Sequence, residues 1–368
     1  MRKERIESLK FMRVVAMNLV VLIHVTAPAM ANVPPDHFLY DIYLMLNRFT
    51  RFEGAVFVFL SGLVLFYNYE DKPYTLKTWL TFYRRRFMFI LGPYLFWSIF
   101  YELFSYYMGY RSYEGLGTIW NNLLVGGSYY QLYFIMILVQ LFFFTPFFIY
   151  LIKRFKFFNR YFFIIGFALE FLYTMWNNET GAITFPFFMI YLGSFFFGGW
   201  VGVHYQKVKH LWTKKASFAF AALTITFGLI YTYSFYYSYT LGEPFMSYSM
   251  MTIVKILFFA TSCYLLFKMG TWVEQSSPAP LLAVIERLRI YSFGFYLVHP
   301  FILVIWSNLL VADTFREFNI YIALRFPLVM ISTYLFIRVL HLMFPKAWFL
   351  FGNLPAIRKE SPPAPSKS

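Results

Sequence analysis

"FMRVVAMNLVVLIHVTAPAM", residues 11–30, is apolar enough to cross a bilayer, yet it carries Arg13 near its start and His24 well inside. Ionisable groups at membrane depth are costly, and they usually face a bundle interior or a water-filled cavity. Helix geometry relates the two. Eleven residues at 100° each make about 1100°, roughly 20° beyond three full turns, so Arg13 and His24 share a face. At 1.5 Å per residue they stand roughly 16 Å apart along the axis. Asn18, five residues on from Arg13, lies about 140° round the helix and so falls off that line. A polar stripe over half the bilayer predicts a cavity wall. For Arg13 alone, snorkelling to the nearer surface is the competing explanation.

The rest of the chain supports a membrane setting. Of its 368 residues 60% are hydrophobic, 24% aromatic and only 13% charged. Soluble chains carry about 25% charged residues, so this chain cannot coat a globular surface. The 50 Phe and 31 Tyr suit lipid-facing surfaces and interfacial belts. A net charge of +15 is explained by basic membrane loops and calls for no nucleic-acid partner. The single cysteine, Cys263, excludes an intrachain disulfide and a Cys-based metal site.

A span needs roughly 20 apolar residues. Ten segments qualify: 9–31, 44–67, 87–108, 129–152, 161–176, 185–204, 216–238, 250–268, 290–310 and 319–344. The fifth is short and ends in "WNNETG", which leaves a re-entrant or tilted element open. With the N-terminus inside, every cytoplasmic segment is basic, from "MRKERIESLK" through "NYEDKPYTLKTWLTFYRRR" and "QKVKHLWTKK" to the tail. The five opposite loops hold only two arginines, Arg111 and Arg316, and no lysine. The positive-inside bias thus predicts both termini in the cytosol. The apolar runs do not alternate, which excludes a β-barrel. The expected fold is an all-α polytopic bundle of about ten spans over residues 1–345, followed by a disordered cytoplasmic tail over 346–368. "MRKER", an apolar run and "TAPAMA" imitate a cleavable signal, but Asn18 and His24 interrupt its core.

Further polar residues fall in the spans: Arg48, Arg51 and Glu53 in the second, Glu102 in the third, then Glu170, Lys255, His299, Arg325, Arg338 and His341. In "IYSFGFYLVHPFIL", Pro300 loosens the helix beside His299. In "TFYRRRFMFILGPYLFWSIFY", Arg84, Arg85 and Arg86 stand at the cytoplasmic mouth of the third span. They act there as topology signals or as guanidinium forks for phosphate. Ser61 and Gly62 in "AVFVFLSGLVLF" let helices approach closely.

Taken together these residues resemble the acyltransferase 3 family of integral-membrane O-acyltransferases, within it the subgroup of polysaccharide intercellular adhesin modification proteins. The family's first span carries an Arg and, eleven residues later, a His, matched by Arg13 and His24. Its second-span Ser-Gly stretch is matched by "FVFLSG", with Arg51 shortly before. Its basic cluster before a proline is matched by "YRRRFMFILGPYLFWS", and a later aromatic block by "GGSYYQLYFIMILVQLFFFTPFF". Its late Ser-x-Gly-x-Tyr-Leu-x-His-Pro is matched by Ser292, Gly294, Tyr296, Leu297, His299 and Pro300. Two departures stand out. Three arginines are consecutive where the family often has Arg-x-x-Arg, and Gln131 stands where many members have a histidine.

The resemblance implies acyl transfer, usually acetyl from acetyl-coenzyme A, to a hydroxyl of a bacterial cell-surface polysaccharide or other glycan, by a multi-pass protein of the plasma membrane. Acyl-coenzyme A would enter as substrate, with no resident cofactor and no metal. His24, Arg13 and His299 are then the expected catalytic residues. Arg51, Ser61, Arg84, Arg85, Arg86 and Tyr296 are the expected substrate- and donor-binding residues. Whether His24 acts as base or acyl carrier stays open, as does self-association. The alternative from another class is a transporter or flippase for a glycan or its lipid-linked precursor.

Overall fold

The computed structural model of the chain describes residues 3–6, 8–210 and 213–355, and among these residues there is no strand. The helices are α1 Ser8–Asn32, α2 Phe38–Leu44, α3 Glu53–Tyr69, α4 Leu76–Arg86, α5 Gly92–Tyr107, α6 Leu116–Val125, α7 Tyr133–Arg154 and α8 Lys156–Thr180. They continue as α9 Leu192–Val203, α10 Tyr205–Val208, α11 Lys214–Phe235, α12 Tyr248–Ser276, α13 Ala279–Leu309, α14 Phe315–Met343 and α15 Trp348–Phe351. Three of the expected spans carry a π turn, one of them at Tyr236–Leu241 after α11. Of the other two, that at Met45–Phe49 leads from α2 towards α3, and that at Phe87–Leu91 joins α4 to α5. Such turns widen a helix locally and are frequent at functional sites. The first ends just before Arg51 and the second begins just after Arg86.

All ten segments read from the sequence are helical, and eight helices are long and apolar enough to cross a membrane. The protein is a polytopic helical bundle. The two that fall outside that group are neighbours. α8 is a continuous helix of 25 residues, long enough at roughly 37 Å but less apolar than the eight. Its buried Glu170 accepts a hydrogen bond from the Gly193 amide at 2.9 Å, so the charge that lowers its apolar character is turned onto α9. The apolar run Phe188–Val203, containing α9, is shorter.

α1 lies at the centre, packed against α3, α12, α13 and α14. The tightest seam joins α3 and α9. A Cβ on Gly62 would meet Phe195 O at 2.0 Å, and one on Gly198 would meet Phe59 O at 1.9 Å. Without a hydrophobic force between helices in lipid, small residues win by letting backbones touch. Gly62 therefore packs, as its sequence context predicts, while Ser61 turns the other way and lines a cavity.

The domain boundary read at 345 lies too early. α15 packs Phe351 into the core at 1% exposure, and Trp97 Nε1 donates to Leu350 O at 2.8 Å. His341 Nε2 lies 3.1 Å from Pro355 O. The run "WFLF" is too short to register as a span, yet it has an aromatic partner waiting on α5. The remainder of the expected tail, 356–368, lies outside the described residues.

Candidate active site

On the face carrying the basic loops, a cavity of about 1270 Å³ opens between α1, α3, α4, α7, α13 and the α15 segment. Small-molecule sites usually hold ~300–1,000 Å³, so this one accommodates a large ligand. Its charged lining is Arg13, Lys72, Arg84, Arg85, Arg86 and Arg289 against the single acid Glu286. Arg13 lies within electrostatic reach of both Arg86 and Arg289. Like charges gathered in this way repel unless an anion joins them, and guanidinium forks match phosphate bidentately. Arg84 and Arg85 are exposed at the mouth, whereas Arg86 reaches inward, its guanidinium 5.2 Å from the Phe82 ring and 5.1 Å from the Phe142 ring. Deeper in, the lining turns apolar and aromatic through Phe57, Leu60, Phe134, Ile135 and Leu138, ending at Ser61 and Tyr296.

The second polar centre lies beyond Tyr296. The rings of His24 and His299 stack with centroids 5.3 Å apart and planes 27° from parallel. His24 stands about two turns from the end of α1 opposite the basic loops. His299 is fully buried, and its Nδ1 lies 2.8 Å from Phe295 O. A carbonyl only accepts, so that nitrogen carries the proton and Nε2 is left as an acceptor. Nε2 is buried and has no hydrogen-bond partner among the described residues. Arg51, exposed at the break before α3, lies within electrostatic reach of His24 and of Glu53.

Pro300 explains how His299 is held. Its missing N–H breaks the α13 ladder, and the buried Tyr101 hydroxyl steps in. It donates to Leu297 O at 2.7 Å and receives the Phe301 N–H at 3.3 Å. A side chain inserted in this way is a recognised cause of a local helix irregularity. The Tyr101 ring stacks on Tyr129 at 4.5 Å, Tyr129 contacts Tyr130 at 4.8 Å, and Tyr130 packs on His24 at 4.7 Å. Tyr296, one turn before His299, hydrogen-bonds through its hydroxyl to Gln131 O, and its ring is 6.3 Å from the His299 ring. Tyr296 is the partition between the basic cavity and the histidine pair.

The structure thus sorts the nine expected residues into two adjoining sets. Arg13, Ser61, Arg84, Arg85, Arg86 and Tyr296 line one cavity. His24, His299 and Arg51 gather on its far side. Arg13, for which snorkelling was the competing account, lines the cavity. Arg289 and Lys72 were missed. Arg289 looked like one more basic loop residue, although its spacing to Ser292 and Tyr296 places all three on one helical face. Tyr130 and Tyr101 carried no signal of their own, since tyrosines near the ends of spans are ordinary.

A transmembrane bundle whose large basic cavity abuts a stacked histidine pair defines a polytopic membrane protein with a candidate site at that junction. A family model described as an acyltransferase domain matches residues 6–350. The chain belongs to the acyltransferase 3 family, and it is a membrane acyltransferase. No curated protein and no solved structure matches it.

Proposed function

We propose that this acyltransferase moves an acyl group, acetyl in the simplest case, from a coenzyme A thioester to a hydroxyl of a glycan, at the plasma membrane of a bacterium. The observation that carries the reading is the junction at Tyr296, where a large arginine-rich cavity on the basic-loop face abuts His24 and His299. The positive-inside bias puts that face in the cytosol, where coenzyme A is found. Arg13 and His24 stand roughly 16 Å apart along α1. Coenzyme A spans such a gap, with phosphates at one end, a thiol at the other and a flexible arm between. On this geometry Arg13 belongs with Arg84, Arg85 and Arg86 as a phosphate ligand, too far from His24 to polarise the reacting carbonyl.

In the reaction the acceptor oxygen forms a bond to the thioester carbonyl carbon while His24 takes its proton as general base. The tetrahedral intermediate expels the thiolate, the C–S bond breaks, and the proton passes from His24 to sulfur. The products are the glycan ester and free coenzyme A. His299 Nε2, left as an acceptor, takes a hydrogen bond from a neighbouring hydroxyl of the glycan and so orients the acceptor beside His24. Arg51 supplies positive charge near the developing oxyanion. The test is thiol release from acetyl-coenzyme A by the purified protein with a glycan acceptor. Removing a general base costs about 10²–10⁴-fold, and His24→Ala should fall in that range while still inserting in membranes. Full activity in that variant would remove His24 from the chemistry. Glycan movement without thiol release would favour a transporter instead.

A further inference from the structure

On the opposite side of the histidine pair from the basic cavity, the end of α5 meets the turn at 126–132. Glu102 is 2% exposed there, and neither of its carboxylate oxygens accepts a hydrogen bond from the described residues. Arg111 Nη1 approaches Glu102 Oε1 to 3.6 Å, while its Nη2 donates to Gly127 O at 2.9 Å, pinning the turn to α5. Ser128 Oγ and both side-chain polar atoms of Gln131 are buried without partners among the described residues. A buried polar group left unpaired costs about 1–3 kcal/mol, and a charged one more. Two such side chains, Ser128 and Gln131, together with a carboxylate held only by its ion pair to Arg111, therefore mark a place where a polar ligand belongs. The site has an outlet, because Tyr130 is 46% exposed and packs on His24 at 4.7 Å.

We propose that Glu102, Arg111, Ser128 and Gln131, with the faces of Tyr129 and Tyr130, form the acceptor site for a neutral polyhydroxylated ligand, a sugar unit, presenting one hydroxyl to His24. This deepens the reading above and rests on it. The donor inventory selects the class. A carboxylate only accepts, a guanidinium only donates, and serine and glutamine do both. A ring of hydroxyls, each both donor and acceptor, satisfies that mixture. A phosphorylated or carboxylated ligand would meet Glu102, and a cationic one would meet Arg111. Interfacial placement accounts for the exposed Tyr107, Tyr110 and Tyr113, but it does not account for a buried carboxylate that accepts no hydrogen bond. Donor and acceptor thus reach the histidines from opposite faces of the membrane, separated by Tyr296.

The experiment supplies acetyl-coenzyme A to the purified full-length protein in detergent, with water alone, glycerol or cellotetraose as acceptor. Acetate and acetylated polyol are quantified together. The expected result is polyol ester formation that saturates with polyol. In Glu102→Gln the ratio of ester to free acetate should fall at least tenfold, and in Ser128→Ala severalfold. A variant that is merely misfolded lowers both products together and leaves the ratio intact. An unaltered ratio in both variants would overturn the proposal, as would a wild-type protein that cleaves the thioester yet esterifies neither polyol. Absence of any thioester cleavage overturns the coenzyme A reading itself, which separates the two failures.

Discussion

His24 and His299 come from the first and thirteenth helices and meet ring to ring at 5.3 Å. One is half-buried, next to a partly exposed tyrosine, while the other is sealed with its tautomer set by a backbone carbonyl. In the proposed reaction the two imidazoles so placed act on the acceptor as a unit. Residues that act as a unit are grossly non-additive. We therefore expect His24→Ala and His299→Ala each to lose about 10²–10⁴-fold in acyl transfer, and the double variant to lose no more than the worse single one. Initial rates of thiol release decide it, and losses that multiply would mean that the two histidines work separately.

The arginines of the cavity make a different kind of prediction. Arg86→Ala and Arg289→Ala remove charge that meets the donor in ground and transition state alike, so KM for the donor should rise about tenfold each with kcat little altered. Both charges lie in a partly open cavity, so donor KM of the unmodified protein should also climb with ionic strength. Donor titrations at low and high salt check both statements. A salt-independent KM would leave the arginine cluster as a topology signal only.

The α3–α9 seam can be tested without any substrate. Gly62→Ala places a methyl 2.0 Å from Phe195 O, and overpacking of this kind costs about 1–3 kcal/mol. Gly117 in α6 has nothing within 4 Å of an added Cβ, so Gly117→Ala should be neutral or slightly stabilising. Thermal unfolding in detergent, followed by tryptophan fluorescence, should separate the two clearly. Equal melting points would contradict the close approach of the helices.

Tyr101 is expected to matter for position rather than for contact with the donor, because it does not line the basic cavity. Tyr101→Phe strips the hydroxyl that bridges Leu297 O and Phe301 N–H, a loss of about 1–3 kcal/mol. Amide exchange in the peptide around Phe301 should quicken, and kcat should fall roughly tenfold with donor KM near its normal value. Unchanged exchange would show that the helix holds its course past Pro300 unaided.

Much of the bundle was legible because each span carries its own apolar signal, and because loop charge repeats the same message at every crossing. The polar stripe of α1 was legible for a related reason, since Arg13 and His24 share one helix and their angular relation follows from its pitch. The meeting of His24 with His299 was not legible. It depends on how two remote helices pack, and hydropathy carries no information about which face meets which. α15 escaped notice because four aromatic and aliphatic residues before a Pro/Ser-rich stretch look like loop until Trp97 is there to receive them. Gln131 was visible only as an odd residue in a familiar block. Its unpaired amide gives that oddity a physical meaning.

The position of α15 also bears on the order in which the molecule is built. Phe351, Asn353 and Pro355 supply the closing wall of the arginine-lined cavity, and they follow every long helix of the bundle. Chains grow from the N-terminus, so a ribosome-bound intermediate with α1 to α14 already inserted presents an open trough of positive charge. Enclosure waits until the last helical turn docks beneath Trp97. On the proposed reading, the donor cavity therefore lacks one wall until the segment after α14 has been made.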